Sequence, residues 1–372
     1  MKNQDIHIGI VGAGNIGFAI YQLLVSSDME GKISIADIIE KSEYIPEADY
    51  VRLQITKPTY EGESTQFDDF VNGKTLIINA LPYTQNINLY KSCHKSNVAY
   101  FDLSEDDGLD KYISELNDET LPFTMPHCGL APGMSTIVAY HLLTKLTTPH
   151  TLKTLKIRVG ALSQNASNKL RYYTSWSGDG LVNEYLGDCQ VIQNGKMITE
   201  KALSGYEKLT INGKEYEAFN TSGGIGTLAK TIEGKWNRFE SAPIVRADYK
   251  TLRRIGHHDY VDFLFNDLQL DQSSLTAIFK SCIPKTKKDR VIIYVTASND
   301  GQGDELTYYK IFKPTQIHGR HFSAIEYTTA IGVISMVELY LNNKLPEKGY
   351  VRQEQADWKD TLKTIYGSYY RE

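Results

Sequence analysis

The run Gly12-Ala13-Gly14-Asn15-Ile16-Gly17 sets three glycines in G-x-G-x-x-G order, directly after the apolar run "IHIGIV". It opens a stretch with helical spacing, "NIGFAIYQLLVSS". In that context Gly12 permits a tight turn, Gly14 lets the backbone approach a pyrophosphate, and Gly17 lets the helix pack close to the sheet. The amides at Asn15 and Ile16 would then hold the diphosphate at the positive end of the helix dipole. Asp37 ends the next strand-like run, "KISIAD". A carboxylate at that place accepts hydrogen bonds from ribose hydroxyls and repels a 2′-phosphate. No Arg follows within several residues, so NAD is the expected cofactor and NADP the less favoured one.

Other candidates fall where strand-like runs end. "INALPYT" carries Asn79 and Ala80 under the nicotinamide ribose and turns Leu81, Pro82 and Tyr83 toward the substrate. "FDLSED" puts Asp102 and Ser104 on the same rim. Asp102 reads equally as an acid/base or as a turn or cap residue. "HCGLAPGMS" (127–135) sets His127 beside Cys128 ahead of a Gly/Pro turn and a second helical pattern. Adjacent residues of an extended segment point in different directions, so an ion pair between these two is not expected. Cys128 reads as a weak acid beside the reacting carbon or as a small apolar wall. The amides from Gly129 onward would face the cofactor carboxamide or a substrate carboxylate.

The bulk properties narrow the classes these groups can serve. The chain has 372 residues, enough for two domains, with 41% hydrophobic and 23% charged residues. A formal net charge of -5 leaves no basic excess for a nucleic-acid partner. The four cysteines are scattered, with no CxxC and no HExxH, which predicts no structural metal and a reducing, cytoplasmic setting. The first residues run straight into a strand, so no signal peptide is expected. "AIGVISMVELYL", interrupted by Glu338, reads as too short to span a bilayer, so no membrane partner is expected.

Strand and helix patterns alternate through the first third: "IHIGIV", "KISIAD", "YVRLQIT" (50–56), "TLIINAL" and "VAYFDLS", with a helix over 84–97. Short alternating units predict an α/β fold with a Rossmann-type, doubly wound parallel sheet. From 151 the chain becomes strand-rich, and Asn-Gly pairs at 194–195 and 212–213 signal hairpins. A second α/β substrate domain with a mixed or antiparallel sheet is therefore expected. The boundaries are set at 1–130 for the dinucleotide-binding domain and 131–324 for the second domain, which the family resemblance given below makes the substrate-binding and dimerisation domain. The long helical pattern 323–343 opens the segment 325–372, which is expected to return to the first domain.

Taken in order, "GAGNIG", "INALPYT", "CGLAPGMS", "TSWSGDGLVNEY", "EYEAFNTSGGIGTL" and "KTLRRIGHHD" resemble the saccharopine dehydrogenase-like family. That group includes saccharopine reductases, lysine 6-dehydrogenases and carboxynorspermidine dehydrogenases. The resemblance extends over nearly the whole chain. It implies a homodimer that acts on a C–N bond of a small amino-acid substrate through an imine. Such chemistry needs an acid/base for the amine and cations for carboxylates, best supplied by Arg. Arg158, Arg171, Arg253 and Arg254 are the candidates. Arg253, Gly256 and His257 match the family motif "RYPGH", while Arg254 and Ile255 depart from its Tyr-Pro pair. His257 suits acid/base work by its ordinary pKa, or else is a structural histidine beside His258. Trp176, in a Ser/Gly-rich loop, is a candidate pocket wall. Asn220 and Thr221, before a second glycine cluster, are placed near the substrate.

Overall fold

The computed structural model describes residues 6–53, 66–104, 106–116, 120–146, 152–233, 244–299 and 305–372. Six strands of the N-terminal region form one parallel sheet: β1 (His7–Val11), β2 (Lys32–Asp37), β3 (Tyr50–Arg52), β4 (Leu76–Asn79), β5 (Ala99–Asp102) and β6 (Thr124–Met125). Their order, β3-β2-β1-β4-β5-β6, is that of a doubly wound dinucleotide fold. β1 and β4 read as continuous apolar runs because both faces are covered, and Ile8, Ile10, Leu76, Ile77 and Ile78 are buried. Among the described residues the α-helices between these strands are α1 (Asn15–Val25), α2 (Asp68–Val71), α3 (Asn86–Lys95) and α4 (Asp107–Ser114). α3 turns Leu89, Tyr90 and Cys93 inward, and they share one core with Val11, Phe70, Ile77 and Tyr100. The expected strand over 50–56 ends at Arg52, and its positions 54–56 lie outside the described residues.

The chain divides into two compact units, Met1–Leu130 with Thr329–Arg371, and Ala131–Thr328 with Glu372. The second begins with α5 (Met134–Lys145) and β7 (Lys153–Ser163), followed by α6 (Gly178–Leu186), β8 (Asp188–Gln193), β9 (Lys196–Lys201), β10 (Glu207–Ile211) and β11 (Lys214–Asn220). After them come α7 (Leu228–Glu233), β12 (Ile244–Arg253), α8 (His257–Asp262), α9 (Gln272–Ser281), β13 (Asp289–Asn299) and β14 (Glu305–Phe312). The sheet runs β10-β11-β12-β7-β13-β14, with β8 on β12 and β9 on β8. It is mixed: β12 lies parallel to β7, and the other pairs are antiparallel. Both Asn-Gly pairs form two-residue hairpins with positive φ at each central residue, joining Gln193 to Lys196 and Ile211 to Lys214. A small hairpin, β15 (Thr315–Ile317) with β16 (Arg320–Phe322), precedes α10 (Ala324–Leu341), and α11 (Trp358–Thr361) follows it. α10 is long and apolar enough to cross a membrane by length and composition, and 78% of it is buried in the protein. Its first amides, at Ala324 and Ile325, donate to the Asp289 carboxylate at 2.7 and 2.9 Å.

A buried charge cluster ties the middle of this sheet. Arg158 on β7 is 1% exposed and reaches Glu207 through Nε and Asp248 through Nη1. Lys250, in register beside Arg158, donates to Glu207 at 3.1 Å. Burial pushes the Asp248 carboxyl up, but the Arg158 guanidinium outweighs that and holds it below its ordinary value. Removing one partner of such a cluster strands a buried charge at a cost of about 3–5 kcal/mol. Asp248→Ala should therefore lose about that much unfolding free energy in urea titration. A loss below ~1 kcal/mol would show that the pair contributes nothing beyond a surface bridge.

Candidate active site

The glycine turn of the first unit is built as the sequence requires. Gly12 has φ +104, and a Cβ there would lie 2.7 Å from the Ala80 carbonyl oxygen. A Cβ on Gly17 would overlap the Gly12 carbonyl, so the first turn of α1 lies directly on the loop. Gly14 is the opposite case: it is exposed, its backbone is extended, and among the described residues nothing beyond its chain neighbours stands within 4 Å of an added Cβ. α1 has no side-chain cap, so the orphan amides of Asn15, Ile16 and Gly17 remain for an anion. An open Gly14 beside uncapped amides fits a diphosphate.

Asp37 locks this turn to the end of β2. Its carboxylate accepts from Ala13 N (2.6 Å), Ile38 N (2.6 Å) and Ile39 N (3.3 Å). Two carboxylate oxygens offer about four acceptor positions, so one remains for a ribose hydroxyl. Sheet register sets Arg52 of β3 directly beside Asp37. That exposed cation lies too far along the chain to have been read as Asp37's neighbour.

The rim of β4, β5 and β6 is a buried polar network. Asn79 donates from Nδ2 to the Tyr100 hydroxyl and to Asn86 Oδ1, both at 2.8 Å, and its own Oδ1 accepts from Leu81 N at 3.0 Å. Asn86 donates to Ser104 Oγ at 2.9 Å, and Tyr100 donates to Asp102 Oδ2 at 3.0 Å. Asp102 Oδ1 accepts from Ser104 N (3.0 Å) and His127 N (3.4 Å). Burial pushes the Asp102 carboxyl up to about 6, with His127 as the main opposing influence. Both Asp102 oxygens are thus engaged by the turn that follows β5 and by Tyr100, which favours the turn-residue reading of Asp102 over the acid/base one. Ala80 packs against Gly12 and Gly17, while Leu81, Pro82 and Tyr83 lie at the surface or half-buried.

His127 and Cys128 point apart. His127 Nε2 faces Asp110 Oδ1 at 3.1 Å, which also accepts from the Tyr350 hydroxyl at 2.7 Å. The Cys128 thiol donates to the Asp102 carbonyl at 2.9 Å and lies 3.3 Å from the Met125 carbonyl. Burial raises this thiol well above its ordinary pKa, and the Asp102 charge adds to the effect. A buried thiol donating to carbonyls and raised in pKa parts with its proton reluctantly, which favours the small-wall reading of Cys128 over the weak-acid one. The Gly129 carbonyl presses against Gly332 of α10, so close that a side chain at 332 would overlap it.

In the second unit, Arg253, His257, Tyr185, Tyr172 and Trp176 form one cluster. Arg253 Nε donates to the Tyr185 hydroxyl (2.9 Å), and its guanidinium lies 5.1 Å from the Tyr172 ring centre. His257 Nε2 faces the same Tyr185 hydroxyl at 3.0 Å, and Nδ1 faces the Leu170 carbonyl at 2.9 Å. Burial, reinforced by Arg253, lowers the His257 pKa to about 3. With both ring nitrogens engaged, His257 is a neutral structural histidine that orients Tyr185, and it is not placed for acid/base work. Trp176 Nε1 donates to the Tyr172 hydroxyl at 3.1 Å. Asn220 donates to Ser204 Oγ at 3.0 Å, and Thr221 pairs with Thr251 at 2.8 Å, both buried within the fold. Arg254 donates to the carbonyls of Ser163 and Gln164, whereas Arg171 is exposed.

Glu184 on α6 belongs to the run "TSWSGDGLVNEY", where the sequence alone assigns it no role. Its carboxylate lies 3.8 Å from Arg253 Nη2, and the side chain is 24% exposed. Burial raises its carboxyl to about 7 against the pull of Arg253. A carboxyl in that range can take or give a proton near neutrality. The available signal was its position just before Tyr185 on an otherwise apolar helix face, and nothing local points to Arg253.

Comparison with known proteins agrees with this architecture. The "Saccharopine dehydrogenase NADP binding domain" family matches residues 8–125, and the "Saccharopine dehydrogenase C-terminal domain" family matches 129–370. Among solved structures, the saccharopine dehydrogenase (L-Glu forming) of Saccharomyces cerevisiae superposes with a TM-score of 0.69 at 14% identity, covering 98% of both chains. The homospermidine synthase of Legionella pneumophila, solved in complex with NAD, gives 0.68 at 12% identity, covering 99% of this chain and 90% of that one. At such identities the likeness concerns the fold. No curated protein matches the sequence. With both of its halves matched in order, the chain belongs to the saccharopine dehydrogenase family of NAD(P)-dependent dehydrogenases.

Proposed function

We propose that the protein is an oxidoreductase of the CH–NH bond of an amino acid, saccharopine dehydrogenase-like in its reaction, with an imine between amine and carbonyl. The observation that carries the reading is Glu184 beside Arg253: a partly exposed carboxyl, raised to about 7, next to a cation held by Tyr185 and Tyr172. A nicotinamide dinucleotide, when bound, supplies the hydride acceptor or donor. Ionised Glu184 takes the proton that the substrate ammonium loses before oxidation, and protonated Glu184 returns it in the reductive direction. Arg253 keeps the carboxyl from rising further, and His257 fixes the Tyr185 hydroxyl that in turn holds Arg253. The test is NADH fluorescence with α-aminoadipate semialdehyde plus glutamate, and then NAD with lysine. Consumption of NADH only when amine and carbonyl are both present supports the reading. Tight NADH binding with no turnover of any amine would make the chain a dinucleotide-binding sensor instead.

For the cofactor we propose NAD over NADP, because Asp37 stands where a 2′-phosphate would meet a like charge. Asp37→Ser keeps an acceptor for Ala13 N and removes the charge, leaving Arg52 as the nearest neighbour in register. The ratio of NADPH to NADH affinity should rise about tenfold or more, and adding Arg52→Ala should reverse the gain. An unchanged ratio in Asp37→Ser would contradict the assignment.

A further inference from the structure

The rim network has a direction that starts from the main chain. Leu81 N can only donate, so Asn79 must turn Oδ1 to it and Nδ2 to Tyr100 and Asn86. Asn86 must then present Oδ1 to Asn79, which leaves Nδ2 to donate to Ser104 Oγ. On the other arm Tyr100 accepts from Asn79 and donates to Asp102, whose second oxygen accepts from Ser104 N. The ring Asn79–Asn86–Ser104–Asp102–Tyr100 therefore closes with every polarity set. Ser104 Oγ accepts inside it and makes no other hydrogen bond among the described residues. Its hydroxyl hydrogen is thus the ring's remaining donor, on a half-buried side chain at the carboxyl end of β5.

We infer that Ser104 is a fixed hydrogen-bond donor to the carboxamide carbonyl oxygen on the nicotinamide half of the cofactor. The assignment rests on the dinucleotide reading above. Strand order supports the placement: the Asp37 end of β2, the glycine turn after β1, the Asn79–Leu81 end of β4 and Ser104 after β5 follow one another along the sheet edge. Ribose, diphosphate, second ribose and nicotinamide follow in the same sequence. With one lone pair taken by Asn86 and its hydrogen committed to no group of the ring, the hydroxyl is placed to donate, and the carboxamide offers its carbonyl oxygen as the acceptor.

The test compares NADH, the reduced 3-acetylpyridine analogue and ADP-ribose by direct binding to wild type, Ser104→Ala and Ser104→Thr. The analogue keeps the carbonyl and lacks the amide donor, and ADP-ribose lacks the ring altogether. Ser104→Ala should weaken NADH and the analogue alike by about tenfold, leave ADP-ribose unchanged, and be rescued by Ser104→Thr. Unchanged NADH binding in Ser104→Ala would overturn the assignment. So would an equal loss of ADP-ribose, or a loss confined to NADH with the analogue spared. Failure of wild type to bind ADP-ribose would remove the dinucleotide reading itself, and this donor with it.

Discussion

Replacing Glu184 by Gln is expected to lower kcat/KM by about 10²–10³-fold while NADH affinity and thermal stability stay near those of wild type. Gln keeps the volume and an oxygen near Arg253 but carries no titratable proton. The wild-type pH profile carries the sign of the effect. Because the carboxyl is raised to about 7, it is mostly protonated below that pH and ionised above it. Amine oxidation needs the ionised form, so its rate should rise through pH 7. The reductive direction needs the proton and should fall over the same interval. In Glu184→Gln both inflections should vanish. A variant with wild-type rate, or one that keeps the inflection near 7, would move the proton to another group.

Gly17→Ala should be strongly damaging to the first unit. The added carbon would overlap the carbonyl of Gly12 and come within 3.1 Å of Ala80 Cβ. Neither the turn nor α1 can retreat easily, since Gly12 N is tied to the Ala36 carbonyl at 2.8 Å and Ala13 N to Asp37. Overpacking of backbone against backbone lies at the upper end of the usual cost of about 1–3 kcal/mol. A fall in Tm of several degrees, with loss of NADH binding, is the expected pattern in a thermal melt with and without cofactor. A Tm equal to wild type would show that the helix start is looser than this packing implies.

How much of this was legible depended on how local each cause is. The parallel sheet and glycine turn follow from strand, turn and helix signals within about thirty residues of one another. The two Asn-Gly hairpins follow from residues that tolerate positive φ. Roles set by distant partners were not legible. Arg52 becomes the neighbour of Asp37 only through strand register, and Glu184 meets Arg253 from far along the chain. His257 looked the better base by its ordinary pKa, but the Leu170 carbonyl and Tyr185 hydroxyl occupy both nitrogens. Asp102 ends β5 and Cys128 follows β6, positions that the local strand patterns indicate. Their hydrogen-bond partners, which fix what they do there, lie on other strands.

The central claim is that the reaction runs on a dinucleotide seated over the Gly12–Gly17 turn. Gly14→Ala tests it most directly, because among the described residues, its chain neighbours aside, nothing lies within 4 Å of the added carbon and the backbone there is extended. The methyl should leave the fold alone and fill only the space next to the α1 amides. NADH titration of wild type and Gly14→Ala, each with its melting curve, is the decisive measurement. The account predicts equal Tm values and a loss of NADH affinity of tenfold or more in the variant. NADH bound as tightly by Gly14→Ala as by wild type would contradict it.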